Sequence, residues 1–312
     1  MGALIINANA LNIPLANESV QCIVTSPPYY GLRSYGIGVE NGEIGLEQTP
    51  DEYIANLVEV FRECKRILRD DGTLWVNIGD TYASSPKGNK EPSGLQSVNY
   101  GIGKDVPMKK NINWTDAGLK LKDLIGIPWM LAFALRADGW YLRQDIIWAK
   151  PNPMPESVKD RCTKSHEYIF LLSKSAKYYY DNEAVKEEST QNGKPHPTGQ
   201  KVSPDRNDTD IAGKTLGDGI TRNKRDVWTI STQPTREAHF ATFPEKLVEP
   251  CILAGSKVGD IVFDPFMGSG TVARVATKFG RNSIGTELNY GYCKLSQRLL
   301  NGVQPVIDFS ET

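Results

Sequence analysis

The chain has 312 residues, enough for one or two domains with a sizeable core, and its formal net charge of −1 means that a nucleic-acid-binding surface would have to gather its positive charge on one face. Its five cysteines and three histidines are scattered, which argues against a disulfide framework and against a metal centre. The apolar runs are too short to span a bilayer and the first residues lack the pattern of a signal peptide, so we expect a cytoplasmic protein without a membrane partner.

Short β-branched runs alternate with helical patterns along the chain, which predicts an α/β protein with a largely parallel sheet. In the clearest helix, apolar residues recur at three- and four-residue spacing until Asp70–Gly72, which we expect to end it. The predicted strands are Ala3–Asn7, Cys22–Thr25, Thr73–Ile78, Asp145–Trp148, Tyr168–Leu172, Ile261–Asp264 and Ser283–Thr286. The predicted helices are Asp51–Leu68, Leu124–Arg136, Glu245–Ala254, Val272–Phe279 and Tyr290–Leu300.

Two polar segments interrupt this alternation. Residues 81–118 are rich in Gly, Ser, Asn and Lys, and residues 186–225 carry lysines and arginines among Asp and Gly. Segments of this length without secondary structure are usually functional loops or disordered. They are either solvated and mobile or become ordered on a large polyanionic ligand, and the sequence leaves both alternatives open.

A glycine-rich turn follows the predicted strand Ile261–Asp264, within the run Phe263–Thr271 (FDPFMGSGT). Such a turn lets the backbone approach a ligand closely, and the helix after it directs N–H groups at that ligand. No lysine follows the glycines, as it would in a phosphate-binding nucleotide loop, but Glu287 lies about twenty residues further on, where an acidic side chain can bind ribose hydroxyls. The pattern predicts a nucleoside-containing cofactor. A nicotinamide dinucleotide, or a turn that merely connects strand and helix, remains an alternative.

Two consecutive prolines follow the strand Cys22–Thr25, within the run Thr25–Tyr30 (TSPPYY). Because proline donates no N–H to a ladder, the pair predicts a rigid extended segment with free carbonyl acceptors at the carboxyl end of the strand, where ligands bind in open α/β sheets. The hydroxyl of Ser26 and the ring of Tyr29 would offer an acceptor for an amino group and a face for a planar base. A proline-rich connecting turn is an equal alternative on these residues alone.

Together these motifs resemble a known family. Thr25–Tyr30 resembles the (Asp/Asn/Ser)-Pro-Pro-(Tyr/Phe/Trp) signature of DNA amino-methyltransferases, and Asp264–Thr271 resembles their S-adenosylmethionine-binding motif. His239–Leu247 is similar to the segment that usually precedes that motif, and Asp145–Ser173 resembles the central region of the family's β group, in which the Pro-Pro motif comes first. The resemblance implies a Rossmann-like S-adenosylmethionine-dependent methyltransferase fold in permuted order, with inserted polar loops for DNA recognition.

The resemblance also implies which residues bind the cofactor. Glu287 would bind its ribose, and Phe243 with Thr242 would close over it. Asn9 stands where the family commonly has an Asp that accepts from the adenine amino group, so its amide oxygen would accept without a charge. The residues implied to line the cofactor are Asp264, Pro265, Phe266, Gly268, Ser269, Gly270 and Thr271.

The Pro-Pro motif is the implied catalytic segment. Ser26 Oγ and the Pro27 carbonyl would accept hydrogen bonds from the target amino group and draw its nitrogen toward tetrahedral geometry. Pro28 would keep the turn rigid, and Tyr29 would stack on a base that has been flipped out of the duplex. This mechanism requires that the Pro-Pro turn and the glycine turn lie side by side at one rim of a shared sheet.

The first hypothesis for the target atom is N4 of cytosine, because Ser26 resembles the cytosine-N4 enzymes more than the adenine-N6 ones. N6 of adenine is the alternative. A reaction at C5 of cytosine would need a cysteine nucleophile, and the pair Pro250-Cys251 exists. Because Cys251 lies in an apolar helical pattern, we expect it to be a core residue instead.

We expect one domain with an embedded recognition region: residues 1–185 as the catalytic part with the insertion 81–118, residues 186–235 as a DNA target-recognition segment, and residues 236–312 as the cofactor-binding part. The expected partner is double-stranded DNA, and a homodimer and a cognate restriction endonuclease of the same site are further hypotheses. A methyltransferase of RNA or protein and a non-catalytic DNA-binding relative are the rivals. Seven basic residues are predicted to contact DNA, with a solvated surface charge as the alternative for each: Lys150, Lys159, Arg161, Lys164, Arg222, Lys224 and Arg225.

Overall fold

One large sheet organises the computed structural model, which describes residues 2–31, 37–38, 42–84, 114–115, 117–188, 221–232, 243–300 and 307–308. The described strands are β1 (Ala3–Asn7), β2 (Val20–Thr25), β3 (Leu68–Ile78), β4 (Tyr141–Ala149), β5 (His166–Ser173), β6 (Glu187–Glu188), β7 (Thr221–Arg222), β8 (Val227–Thr229), β9 (Ile261–Asp264), β10 (Asn282–Glu287) and β11 (Ile307–Asp308). Nine of them pair in the order β11-β1-β10-β9-β2-β3-β5-β4-β8, whereas β6 pairs with β7 alone. All seven predicted strands are present, and the four that were not predicted are two or three residues long.

Strand direction divides the sheet into two parts. The parallel half consists of β11, β1, β10, β9, β2 and β3, in which every neighbouring pair is parallel. The antiparallel half consists of β5, which is antiparallel to both β3 and β4, together with β4 and β8. The prediction of a largely parallel sheet is therefore confirmed, with β5 as the exception.

These directions bring different strand ends to one edge, which we call the upper rim. The carboxyl ends of β1, β2, β3, β9 and β10 lie there because the strands are parallel. Because β5 runs the opposite way, its amino end lies at the same rim, beside the carboxyl end of β4. Residues that follow β2 can therefore contact the first residues of β5.

Five helices cover the sheet in the part of the chain that the structure describes. The N-terminus of the first is fixed by a capping box, in which the Glu52 N–H donates to Thr49 Oγ1 and the Thr49 N–H donates to the Glu52 carboxylate, both at 3.2 Å. This helix ends at Ile67 and the chain is extended from Leu68, so Asp70–Gly72 belong to strand β3 and do not form the helix end that the sequence predicted. The helices are α1 (Pro50–Ile67), α2 (Ile127–Ala137), α3 (Glu245–Gly255), α4 (Thr271–Lys278) and α5 (Tyr290–Leu299).

The core lies on both faces of the sheet, because successive strand side chains point to opposite sides. On one face Ile23 and Leu74 are buried among the apolar residues of α1 and α2. On the other face Val24 and Trp75 are buried among those of α3 and α4. Cys251 belongs to this second cluster and is buried, as the sequence predicted. The result is a sheet between two helical layers.

Large parts of the two polar insertions lie outside the described residues, namely 85–113, 116 and 189–220. The expectations for those insertions, and for the recognition segment 186–235, therefore stay predictions. Thr242 also lies outside the described residues. Among the residues that the structure does describe, no helix has the length and apolar character needed to cross a membrane.

Candidate active site

The Pro-Pro turn and the glycine turn lie side by side at the upper rim, as the proposed mechanism requires. Strands β2 and β9, which precede the two turns, are neighbours in the sheet. The Thr25 hydroxyl donates to Asp264 Oδ1 at 2.6 Å and joins the two strand ends directly. The prediction that these distant segments share one rim is therefore confirmed.

A cavity of about 160 Å³ opens between the two turns. It is lined by most of the residues that the sequence assigned to catalysis and to cofactor binding: Asn9, Ser26, Pro27, Pro28, Tyr29, Phe243, Asp264, Pro265, Phe266, Gly268, Ser269, Thr271 and Glu287. Residues that were not assigned to the site from the sequence also line it, namely Ala8, Ala10, Ile37, Gly42, Glu43, Ile44, Met267, Leu288 and Tyr292. Glu43 and Ile44 belong to a loop between β2 and α1 that resembles none of the motifs, so no sequence pattern predicted their place here.

The glycine turn depends on two left-handed residues. Gly268 has a φ of +51° and Gly270 has a φ of +76°, a region that favours glycine. The Gly268 N–H donates to Glu287 Oε2 at 2.9 Å, so the turn is tied to the acidic residue that ends β10. Gly270 caps α4 and does not line the cavity, because a Cβ there would point at Leu300, 3.2 Å away. The contact of Gly270 with the cofactor stays a prediction.

Two carboxyl groups in the cavity are desolvated. Burial raises the pKa of Asp264 to about 7, although hydrogen bonds from Thr25 and from the Phe266 N–H favour its ionised form. Burial also raises the pKa of Glu287 to about 7, against the effect of backbone N–H donors that include Asn289 and Gly268. Neither carboxylate forms an ion pair with a cation in the described part of the chain. Both are therefore available to a ligand that carries positive charge or hydroxyl groups.

Asn9 is held in one orientation at the mouth of the cavity. The Leu11 backbone N–H, which can only donate, points at Asn9 Oδ1 from 3.0 Å, so the facing atom must be the amide oxygen. The amide nitrogen then faces Gly42, where an added Cβ would lie 2.2 Å from it. The amide oxygen of Asn9 has a second lone pair, so it can still accept from a ligand while it accepts from Leu11. The amide nitrogen, which faces the cavity residue Gly42, is a donor.

The Pro-Pro turn keeps one of its carbonyl groups free. The Tyr53 hydroxyl donates to the Pro28 carbonyl at 2.7 Å, which anchors the turn to α1. The Pro27 carbonyl, by contrast, accepts no hydrogen bond from any described residue, although Pro27 itself is buried. Pro27 lines the cavity beside the half-buried Ser26, so an acceptor without a described donor lies at this turn.

Tyr29 reaches from the Pro-Pro turn to the antiparallel half of the sheet. Its hydroxyl donates to Glu167 Oε2 at 2.7 Å, and Lys150 forms an ion pair with the other oxygen of Glu167. Burial and then the neighbouring Glu167 carboxylate raise the pKa of the Tyr29 phenol well above its ordinary value. The phenol therefore stays protonated and donates.

Most of the basic residues predicted to contact DNA already have partners within the protein. Lys164 donates to the Asp80 carbonyl, and burial lowers the pKa of its ammonium group. Arg161 forms an ion pair with Glu156 at 2.5 Å and lies over the Tyr82 ring at 4.0 Å.

Of four other basic residues, three also have a partner within the protein. Arg222 and Arg225 both bind Glu187, at 2.9 and 2.6 Å, and Lys224 lies over the Trp228 ring at 5.0 Å. Lys159 is exposed and forms no ion pair with a described residue. It is therefore the one predicted DNA contact among the described residues whose charge is left to solvent.

The fold and the site define a Rossmann-like protein with a cavity at the carboxyl ends of its parallel strands. The family model of the N6/N4 methyltransferases, described as DNA methylase, matches residues 20–298. Among characterised relatives, the type II methyltransferase M.Cfr9I of Citrobacter freundii is 48% identical over 304 residues, which cover 96% of this chain and 88% of the relative. The type II methyltransferase M.SmaI of Serratia marcescens is 46% identical over 283 residues, covering 91% of this chain and 85% of the relative. The chain belongs to this DNA methylase family.

Solved structures agree with the fold. The cytosine-N4-specific PvuII DNA methyltransferase superposes with a TM-score of 0.63 at 19% identity, covering 100% of this chain and 96% of that one. A proposed DNA modification methylase from Thermus thermophilus, complexed with S-adenosyl-L-methionine, superposes with a TM-score of 0.60 at 21% identity, covering 99% of each chain. The protein therefore has the Rossmann-like methyltransferase fold that the sequence predicted.

Proposed function

We propose that this DNA methyltransferase transfers the methyl group of S-adenosylmethionine to N4 of cytosine in double-stranded DNA. The observation that carries the proposal is that Ser26 and Pro27, whose carbonyl has no described hydrogen-bond donor, line the same cavity as the glycine turn and Glu287. Serine at position 26 and the likeness to a cytosine-N4-specific methyltransferase favour cytosine. N6 of adenine is the second candidate, because both targets are exocyclic amino groups.

The cavity fits the cofactor. Gly268 leaves open space where a side chain would stand, since the nearest atom to a Cβ there is a backbone oxygen 3.9 Å away. Glu287 would bind the ribose hydroxyls, Asn9 would contact the adenine, and Phe243 with Thr242 would close over them. The desolvated Asp264 and Glu287 carboxylates suit a cationic ligand. When bound, S-adenosylmethionine supplies an activated methyl group on a positively charged sulfur.

The chain's own residues would prepare the amino group for attack. The lone pair of an exocyclic amine is delocalised into the base, so the amine is a poor nucleophile. Ser26 Oγ and the Pro27 carbonyl would accept its two hydrogens and draw the nitrogen toward tetrahedral geometry. Pro28, anchored by Tyr53, would hold these acceptors rigid. Tyr29 would stack on the base, which must be flipped out of the duplex to reach this pocket.

Recognition of the DNA sequence would come from the segment 186–235, between the catalytic part in residues 1–185 and the cofactor-binding part in residues 236–312. Its described residues include Arg222 and Arg225, which share Glu187 as partner and could exchange it for phosphate. Action in the cytoplasm on double-stranded DNA, a cognate restriction endonuclease of the same site and a homodimer complete the proposal.

The test is to express the chain in a host that lacks DNA methylation and to sequence its genomic DNA for modified bases, with mass spectrometry of the digested nucleosides. We expect N4-methylcytosine at one short sequence. N6-methyladenine instead would establish the second candidate. Unmodified DNA, together with methyl transfer to RNA or protein or with no transfer at all, would contradict the proposal. An inactive Ser26→Ala variant in the same host controls for background modification.

A further inference from the structure

An ion pair at the upper rim connects the antiparallel half of the sheet to the Pro-Pro turn. Glu167 is the second residue of β5 and Lys150 directly follows β4, and their side chains are only 15% and 17% exposed. One oxygen of Glu167 binds Lys150, while the other accepts from the Tyr29 hydroxyl at 2.7 Å and from Asn77 Nδ2 at 3.3 Å. The carboxylate is therefore neutralised by Lys150 and held by two further donors.

The sheet leaves space for this arrangement at Gly79. Ile78 pairs with Tyr168, so Gly79 lies opposite Glu167. A Cβ at position 79 would lie 2.8 Å from Cε2 of Tyr29 and 3.3 Å from the Glu167 carboxyl carbon. A side chain at this position would displace the ring or the carboxylate, so glycine is needed here for close approach and not for an unusual φ.

Lys150 is held on two sides, which separates it from ordinary surface lysines. Its ammonium group lies 4.1 Å from the centre of the Trp148 ring as well as against Glu167. A lysine that already forms a largely buried ion pair gains little free energy from binding a phosphate, because it must first lose its present partner. Lys150 is therefore better suited to hold Glu167 than to bind DNA.

We propose that Glu167 is a positioning residue for methyl transfer, which fixes the ring of Tyr29 through the phenol hydroxyl and is itself held by Lys150 and Asn77. This inference rests on the proposed function, in which Tyr29 stacks on the flipped base. A ring anchored at its hydroxyl cannot rotate away from the base, whereas an unanchored ring populates other rotamers. Glu167 does not line the cavity, so its effect on the reaction must pass through Tyr29.

The test is a double-mutant cycle of Tyr29→Phe and Glu167→Ala, with the single-turnover rate of methyl transfer and the melting temperature measured for all four proteins. We expect each single variant to lower the rate about tenfold, and the double variant to be no slower than Tyr29→Phe alone. The Tyr29→Phe change already removes the contact with Glu167, together with the contacts of the Tyr29 hydroxyl with Asn77 Oδ1 at 3.4 Å and with Ser26. The loss of thermal stability from Glu167→Ala should persist in the Tyr29→Phe background, because Lys150 loses its partner in both. Glu167→Gln should keep most of the rate, since its amide oxygen still accepts from the phenol.

Two further variants separate positioning from a general effect on folding. Gly79→Ala should lower the rate while cofactor affinity is retained, and Glu59→Gln, which removes a carboxylate paired with Arg62 on the exposed face of α1, should leave the rate unchanged. If Glu167→Ala lowers the rate by the same factor with and without the Tyr29 hydroxyl, or if Gly79→Ala keeps the full rate, the inference is wrong while the proposed function stands. A wild-type chain that methylates no DNA would overturn the proposed function, and this inference with it.

Discussion

The carboxylates at the upper rim differ between the two halves of the sheet in whether they have a cationic partner. In the parallel half, Asp264 and Glu287 are desolvated, have pKa values raised to about 7, and pair with no described cation. In the antiparallel half, Glu167 is neutralised by Lys150 and accepts from Tyr29. The first half is thus open to a ligand and the second is satisfied within the protein. This difference supports our proposals that residues of the parallel half bind the cofactor and that Glu167, in the antiparallel half, positions Tyr29.

The largest effect is expected from a side chain added to the glycine turn, which would remove cofactor binding from the parallel half. Gly268→Val should abolish detectable binding of S-adenosylmethionine, because a branched side chain at a φ of +51° both strains the turn and enters the cavity. Isothermal titration calorimetry measures the affinity for S-adenosylmethionine. Gly259→Val is the matched control, since Gly259 also has a left-handed φ, of +89°, but has open space around it and does not line the cavity. Full affinity in Gly268→Val would place the cofactor elsewhere.

The second prediction separates the acceptors from the cofactor cavity. Ser26→Ala should lower the single-turnover rate about 100-fold while the dissociation constant of the cofactor stays within about twofold, since the lost hydrogen bond is one that develops in the transition state. Ser19→Ala removes a hydroxyl that donates to the Ala16 carbonyl on an exposed turn before the same strand, and it should keep the full rate. An unchanged rate in Ser26→Ala would exclude the serine as an acceptor.

Motifs predicted the Pro-Pro turn and the glycine turn of the parallel half, because each of these turns is one short run of sequence. The glycine turn needs left-handed backbone at Gly268, and the residue type itself indicates this. The contact of Glu167 with Tyr29, by contrast, depends on the register of β3 against β5, which places Gly79 opposite Glu167. No local pattern specifies that register, so the sequence predicted a DNA contact or a solvated charge for Lys150 and did not predict its ion pair with Glu167. Gly270 shows the limit of a motif: it belongs to the same run, but in the structure it caps α4 and does not line the cavity.

The third prediction uses the raised pKa of Glu287. Folding favours its protonated form, so this contribution to the stability of the ligand-free protein is fully present below pH 4.5, the ordinary value for Glu, and is lost as the pH rises through about 7. Ribose hydroxyls donate best to the ionised form, so cofactor affinity should increase about tenfold from pH 6 to pH 8 as that form becomes populated.

Calorimetry across this pH range checks the third prediction. Glu287→Gln should bind more weakly at pH 8 and show a smaller pH dependence, with the remainder due to Asp264, whose pKa is also raised to about 7. Glu183→Gln removes an exposed carboxylate that is paired with Lys186, and it should reproduce the wild-type curve. A wild-type affinity that does not change between pH 6 and pH 8 would contradict the assignment of Glu287 to the ribose.

The smallest effect is expected from a comparison of Lys159 with Lys150, two lysines of the antiparallel half, in DNA binding. Lys159, which is exposed and has no described ion-pair partner, should contribute one phosphate contact, so Lys159→Ala should weaken DNA binding a few-fold and reduce the slope of log affinity against log salt by about 0.9. Lys150→Met should leave that slope unchanged and lower the rate of methyl transfer, because its charge is already used by Glu167. Fluorescence anisotropy across a salt series measures both variants. Equal reductions in slope would mean that Lys150 leaves Glu167 for the phosphate when DNA binds, and the antiparallel half would then be a DNA-binding surface instead of an internally satisfied support for Tyr29.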